Sequence, residues 1–218
     1  MIRNIVPTPV ALAMGTALAA GGGAVHAETE FYVGVFSDYI NDGASDSDNN
    51  AVVQGGVEYG HASGLYLGTA MSTLADDEGQ ELDLYLGQVV YLGAHALDLG
   101  YTYSHYSELD DADEGELHVA VERGPLTAEV AYMVNADDSD AEGDTTVALD
   151  YVHNLDRHNR IDLGIGHAMP DDSDADDVTF WSLGVARTAG DGEISLTYAS
   201  TDESGSQDLF VAGYSISF

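Results

Sequence analysis

Apolar and polar residues alternate along most of the chain beyond residue 28. Leu97, Leu99, Tyr101 and Tyr103 stand against Asp98, Gly100, Thr102 and Ser104. Ile161, Leu163 and Ile165 alternate with Asp162, Gly164 and Gly166, and Val147, Leu149 and Tyr151 flank Ala148 and Asp150. A period of two sends successive side chains to opposite faces, so these segments are strands with one apolar face. The pattern predicts about twelve of them, with ten as the lower count, near 30–40, 51–60, 65–74, 80–91, 95–106, 116–123, 126–134, 145–153, 160–169, 178–188, 193–201 and 207–218.

The connections keep a parity. Odd ones are polar and mostly long, at 41–50, 75–79, 107–115, 135–144, 170–177 and 202–206. Even ones are mostly tight, as in His61-Ala62-Ser63-Gly64, Gly124-Pro125 and Ala189-Gly190-Asp191-Gly192. In an up-and-down meander the two sets lie at opposite ends. Long loops at one end, short turns at the other and an even strand count describe an all-β, antiparallel, up-and-down transmembrane β-barrel of an outer membrane. A secreted soluble barrel or sandwich shares the alternation. It would need apolar residues inside, yet the face opposite the apolar one carries Glu58, Asp83, Asp98, Glu116, Glu129, Asp150 and Asp162 with many Gly, Ser and Thr. The last strand ends the chain on Phe210, Ala212, Tyr214, Ile216 and Phe218. That row looks like the terminal signal read by the barrel-insertion machinery, an expected partner alongside outer-membrane lipid.

Charge adds orientation. The 218 residues hold 39 Asp+Glu against 5 Lys+Arg, for a net charge of −34. So few cations exclude a nucleic-acid partner, because phosphate binding needs clustered Lys and Arg. The odd connections hold 23 of the 39 acids and no arginine, whereas Arg123, Arg157, Arg160 and Arg187 all sit at or beside even turns. The loop end is therefore anionic, and the turn end carries the cations. An Asp-rich, lysine-free surface matches those of salt-adapted organisms, whose carboxylates hold water while salt screens their repulsion. Cysteine is absent, which removes disulfides and thiolate chemistry.

The N-terminus reads as a leader. Arg3 precedes an uncharged apolar run from Val10 to Ala20, and Val25-His26-Ala27 offers small residues at a cleavage site. The expected division is a signal peptide over 1–27 and the barrel over 28–218. No later window is apolar enough for a spanning helix.

Residues 37–56 carry a resemblance. Ser37-Asp38-Tyr39, then Gly43-Ala44-Ser45-Asp46-Ser47-Asp48, then Ala51-Val52-Val53-Gln54-Gly55-Gly56 resembles the opening signature of the TorF family of porin-like proteins. The likeness continues through Ser63-Gly64-Leu65-Tyr66-Leu67-Gly68 and Glu81-Leu82-Asp83-Leu84-Tyr85-Leu86-Gly87. It departs where an aromatic–Arg pair usually follows the Tyr, since Ile40, Asn41 and Asp42 stand there instead. The resemblance implies a Gram-negative outer-membrane barrel of porin type and supplies no substrate.

Catalysis and cofactors are not expected. His61-Ala62-Ser63 has the spacing of a His–Ser pair but falls in a turn without an orienting acid, and Ser104-His105 sits at an interface. Asp172, Asp174 and Asp176 are a weak metal candidate, since their loop lacks the glycine and distant Glu of an EF-hand. The main expectation is a passive channel for small solutes or cations. Its lumen electrostatics would be set by Asp83, Asp98, Glu116, Glu129, Asp150 and Asp162, carboxylates with no opposing lysine. The alternative is a closed structural or interaction barrel displaying acidic surface loops.

Overall fold

The computed structural model describes residues 27–75, 78–173 and 175–218. The expected leader, apart from Ala27, lies outside the described residues. The strands are β1 (Glu28–Phe36), β2 (Ile40–Asn41), β3 (Ala44–Ser45), β4 (Val52–Gly60), β5 (Leu65–Thr73), β6 (Gln80–Leu92) and β7 (His95–Tyr106). They continue as β8 (Glu114–Arg123), β9 (Leu126–Ala136), β10 (Thr145–Asn154), β11 (Asn159–Met169), β12 (Val178–Ala189), β13 (Gly192–Thr201) and β14 (Leu209–Ser217). Twelve of them, all but β2 and β3, form one closed antiparallel barrel in which each strand pairs with its sequence neighbours. β1 closes the ring against β14, with Tyr32 opposite Ser217 and Phe36 opposite Gly213. Closure leaves the twelve-stranded barrel without a sheet edge, so each barrel strand pairs on both sides.

The two faces are sorted as the alternation requires. Leu84, Leu86, Ile165 and Leu196 point outward and are about half exposed, at 51%, 53%, 52% and 50%. A Leu or Ile left in water forgoes about 1.5–3 kcal/mol of burial. A continuous girdle of such side chains is stable only against an apolar surrounding, as in outer-membrane barrels. Among the described residues no helix is long and apolar enough to cross a membrane.

The turn end is built from tight reversals. Gly124 supplies a φ of 60° between β8 and β9, with nothing within 4 Å of a Cβ placed there, so backbone conformation is its role. A bulge at Gly115/Glu116 interrupts the β8–β9 ladder near the loop end.

The first connection corrects the sequence reading. It was expected as a polar loop over 41–50, exposed like the other odd ones. Instead it folds inward: Asp38, Tyr39, Asn41, Asp42 and Ser47 are buried, and β1 ends at Phe36 rather than near 40. Two apolar anchors explain this. Tyr39 packs with Val52, Leu74 and Tyr106, while Ile40 lies against Ala199, Leu209 and Val211 on another part of the wall.

Candidate functional site: the barrel lumen and its mouth

The first connection is a small folded unit. Asp38 Oδ1 accepts hydrogen bonds from the backbone N–H of Tyr39 (2.8 Å) and the hydroxyls of Ser45 (2.6 Å) and Ser47 (2.7 Å). β2 and β3 pair through Ile40↔Ser45 and Asn41↔Ala44 around a two-residue turn, Asp42-Gly43, with φ of 43° and 78°. Positive φ at both centres is the hairpin turn that Asp-Gly favours. At the tip, a Cβ on Gly43 would lie 2.5 Å from the carbonyl oxygen of Ser200 and 2.9 Å from Phe180 Cβ. The hairpin thus reaches the β12–β13 wall and narrows the mouth.

This tip is acidic and desolvated. Burial, with the Glu116 carboxylate as the next cause, pushes Asp42 up to about 7. Burial, followed by the charge of Glu81, also holds Asp46 well above the usual carboxylate range.

The six carboxylates expected in the lumen all lie on the inward face, and the structure divides them between two levels. Asp83 on β6 and Glu116 on β8 lie near the loop end, both buried. Asp83 sits between Ala70 and Ser104 in the ladder and accepts a 2.7 Å hydrogen bond from the Ser104 hydroxyl. Asp98, Glu129, Asp150 and Asp162 lie toward the turn end. The ladder runs Asp98–Ala120–Glu129–Ala148, and separately Asp150–Gly164 and Asp162–Gly184. Asp83, Asp98, Glu129, Asp150 and Asp162 each have an alanine or glycine across at least one strand pair, while Glu116 stands between Thr102 and Met133, so none of the six directly opposes another.

Several of these groups have partners that the sequence did not reveal. Tyr66 donates its phenol to Asp98 (3.0 and 3.2 Å) and stands 3.3 Å from His118 Nε2. The network needs Gly87 and Gly100, because a Cβ on either would run into Tyr66 or His118. Arg160 is not confined to the rim. It points inward from β11, with Nε donating to both oxygens of Asp162 (2.8 and 2.9 Å) and both Nη atoms donating to Glu193 (3.1 and 3.0 Å). The expectation of unpaired lumen carboxylates thus fails at Asp162, because β11 carries Arg160 and Asp162 two residues apart on one face. The inward face also carries large residues. Tyr32, Phe36, Tyr66, Tyr85, Tyr106 and Phe180 line the wall, and several lie over inward glycines such as Gly34, Gly68 and Gly166.

The two His–Ser arrangements differ. His61 Nδ1 and Ser63 Oγ do meet, at 2.9 Å, but both are exposed and Ser63 N–H also bonds the same nitrogen at 3.2 Å, a local turn contact. Ser104 and His105 diverge to opposite faces, with His105 Nδ1 2.9 Å from Asp113. Asp113 is held below the usual range because hydrogen bonds from Tyr103, His105 and the Tyr106 backbone outweigh its desolvation. Among the described residues no group of three or more His, Cys, Asp or Glu is placed to hold a metal ion. Asp174 lies outside the described residues, so the Asp172, Asp174, Asp176 candidate is only partly within them.

A family model described as "Bacterial protein of unknown function (Gcw_chp)" matches residues 19–216. The match does not by itself confirm the TorF name suggested by residues 37–56. No curated protein matches the chain by sequence. Among solved structures, the KdgM porin is similar over 88% of this chain and 99% of its own, with 7% identity and a TM-score of 0.61. Omp33, an outer membrane protein of Acinetobacter baumannii, is similar over 90% and 99%, with 9% identity and a TM-score of 0.54. An outer membrane channel of Pseudomonas putida F1 is similar over 90% and 97%, at 12% identity and a TM-score of 0.50. The shared feature is the fold, that of porin-like barrels.

Proposed function

The chain belongs to the Gcw_chp family of bacterial proteins, and on that footing we propose that it is a porin-like channel of the Gram-negative outer membrane, passing small solutes by diffusion with a preference for cations. The observation that carries the preference is the sign of the lumen. Asp83, Asp98, Glu116, Glu129, Asp150 and Asp162 face inward, and the one inward arginine among the described residues, Arg160, is already shared by two carboxylates. A pore lined by one sign of charge concentrates the opposite ion and repels its own. The KdgM porin has been solved with oligogalacturonate, a polyanion; the carboxylates here argue against an anionic cargo of that kind. The charged loops, net −34 over the whole chain, support residence in a salt-adapted organism.

Planar-bilayer recording across a KCl gradient tests the reading. The expected result is a conductance whose reversal potential favours potassium. An anion-selective reversal potential overturns the preference. The inward first connection supports a second reading, a closed barrel that serves as a surface structure, and an absence of current across many insertions would establish that one.

A further inference from the structure

Carboxylates of the first connection and of the barrel wall meet at the mouth, and every arginine of the described residues lies toward the other end. Asp46, beside the hairpin, has Glu81 as its strongest charged neighbour. Glu81 stands on the inward face of β6 and is only 1% exposed. Its Oε1 receives the Tyr106 phenol at 3.4 Å and the Tyr39 phenol also approaches the carboxyl, whereas its Oε2 has no well-formed hydrogen bond among the described residues. Asn41, 2% exposed, donates Nδ2 to Asp46 Oδ2 at 2.6 Å, and its Oδ1 likewise has no partner. Two acceptor oxygens are thus buried without well-formed donors, on the two residues, one acid and one amide, that border the Asp46 carboxylate. Buried oxygens of this kind require a counter-charge or a donor.

We propose that a hard divalent cation of the calcium class binds between the first connection and β6, taking oxygen ligands from Glu81 Oε2, the Asp46 carboxylate and Asn41 Oδ1, and latches the hairpin inside the mouth. Two carboxylates balance the double charge, and an amide oxygen with waters suits the six to eight oxygen ligands that calcium accepts. The set contains only two acidic ligands, which accords with the lack of any three-residue His, Cys, Asp and Glu group among the described residues. Few charged ligands place the affinity in the range of extracellular calcium modules, about 10⁻⁴–10⁻³ M. The site deepens the cation-channel reading, since the ion would sit where solutes enter, but its binding is measured separately from current.

The test uses the full mature chain refolded in detergent, stripped with a chelator and titrated with calcium chloride by calorimetry against a constant sodium chloride background. The expected result is one calcium ion per chain, with Glu81→Gln and Asp46→Asn each weakening binding by at least about tenfold and Asp140→Asn leaving it unchanged. Calcium should also protect residues 41–50 from a protease that cuts at aspartate, which gives a readout if one variant fails to fold. No saturable calcium binding by the wild type overturns the proposal, as does unchanged binding by both variants. Protection produced by acid and not by calcium overturns it too, since a proton is then the counter-charge. A barrel that binds calcium and passes no current leaves the site standing and removes the channel; a conducting barrel that binds none does the reverse.

Discussion

At the scale of the residue, the lumen is organised by what stands opposite each carboxylate. Asp98 and Glu129 share Ala120 as their ladder neighbour, and Asp150 and Asp162 face Gly164 and Gly184. Small residues both separate like charges and open space for rings to lie along the wall. Gly87→Ala and Gly100→Ala should therefore displace Tyr66 or His118 and break the Tyr66–Asp98 bond. A cost of about 1–3 kcal/mol is expected, from overpacking, read as a lowered urea midpoint for the refolded barrel. Arg160→Gln tests the opposite end of the lumen. It removes the guanidinium that Asp162 and Glu193 share, so the reversal potential should move further toward cations. A shift toward anions would show that Arg160 does not set local charge. The inward face of all six carboxylates was legible from parity alone. The Tyr66–Asp98–His118 contact was not, because its members come from three strands and no local spacing links them.

Among the elements, the first connection changes the molecule most. Its turn was visible in the sequence, since Asp42-Gly43 is the dipeptide that two-residue hairpins favour. Composition obscured it, because a run rich in Asp, Ser and Asn also describes an exposed loop. The burial of Asp42 makes the seating of this hairpin depend on pH. Its pKa is raised from 3.8 to about 7, so the seated state holds a proton that the released state gives up. Stabilisation from this group is fully present below about pH 4, falls as pH rises toward 7 and changes no further above it. Proteolysis at residues 41–50 should accordingly increase between pH 4 and 7, and Asp42→Asn should make that rise shallower, leaving the share of buried Asp46. A wild-type profile that is already flat would count against it. β14 makes a second element-scale case. Phe218 exchanges backbone hydrogen bonds with Phe31 (2.9 and 3.0 Å), and their rings stack at 5.9 Å, so the terminal residue helps to close the ring. Deleting Phe218 should lower the yield of folded barrel, measured as the heat-shifted band on a gel.

For the whole molecule, two opposed surfaces set the behaviour: an apolar girdle outside and an excess of carboxylates at the loop end and in the lumen. Self-repulsion among them falls as salt shortens the Debye length from about 8 Å at 0.15 M to about 3 Å at 1 M. The melting temperature of the refolded barrel should rise over that range, more steeply than for a barrel of near-zero net charge. A fall would place the carboxylates in attractive networks instead. Strand number, faces and the polarity of the two ends were present in the sequence because they follow from period-two alternation and turn chemistry, which act over a few residues. The wall that the first hairpin meets could not be read there. Contact of Gly43 with Ser200 and Phe180 spans more than a hundred residues of chain and exists only once β1 and β14 have closed the ring. The sequence by itself determined a barrel, its inside and its outside. The tertiary structure decided what fills the mouth and which charges are shared, because those contacts depend on distant strands being brought side by side.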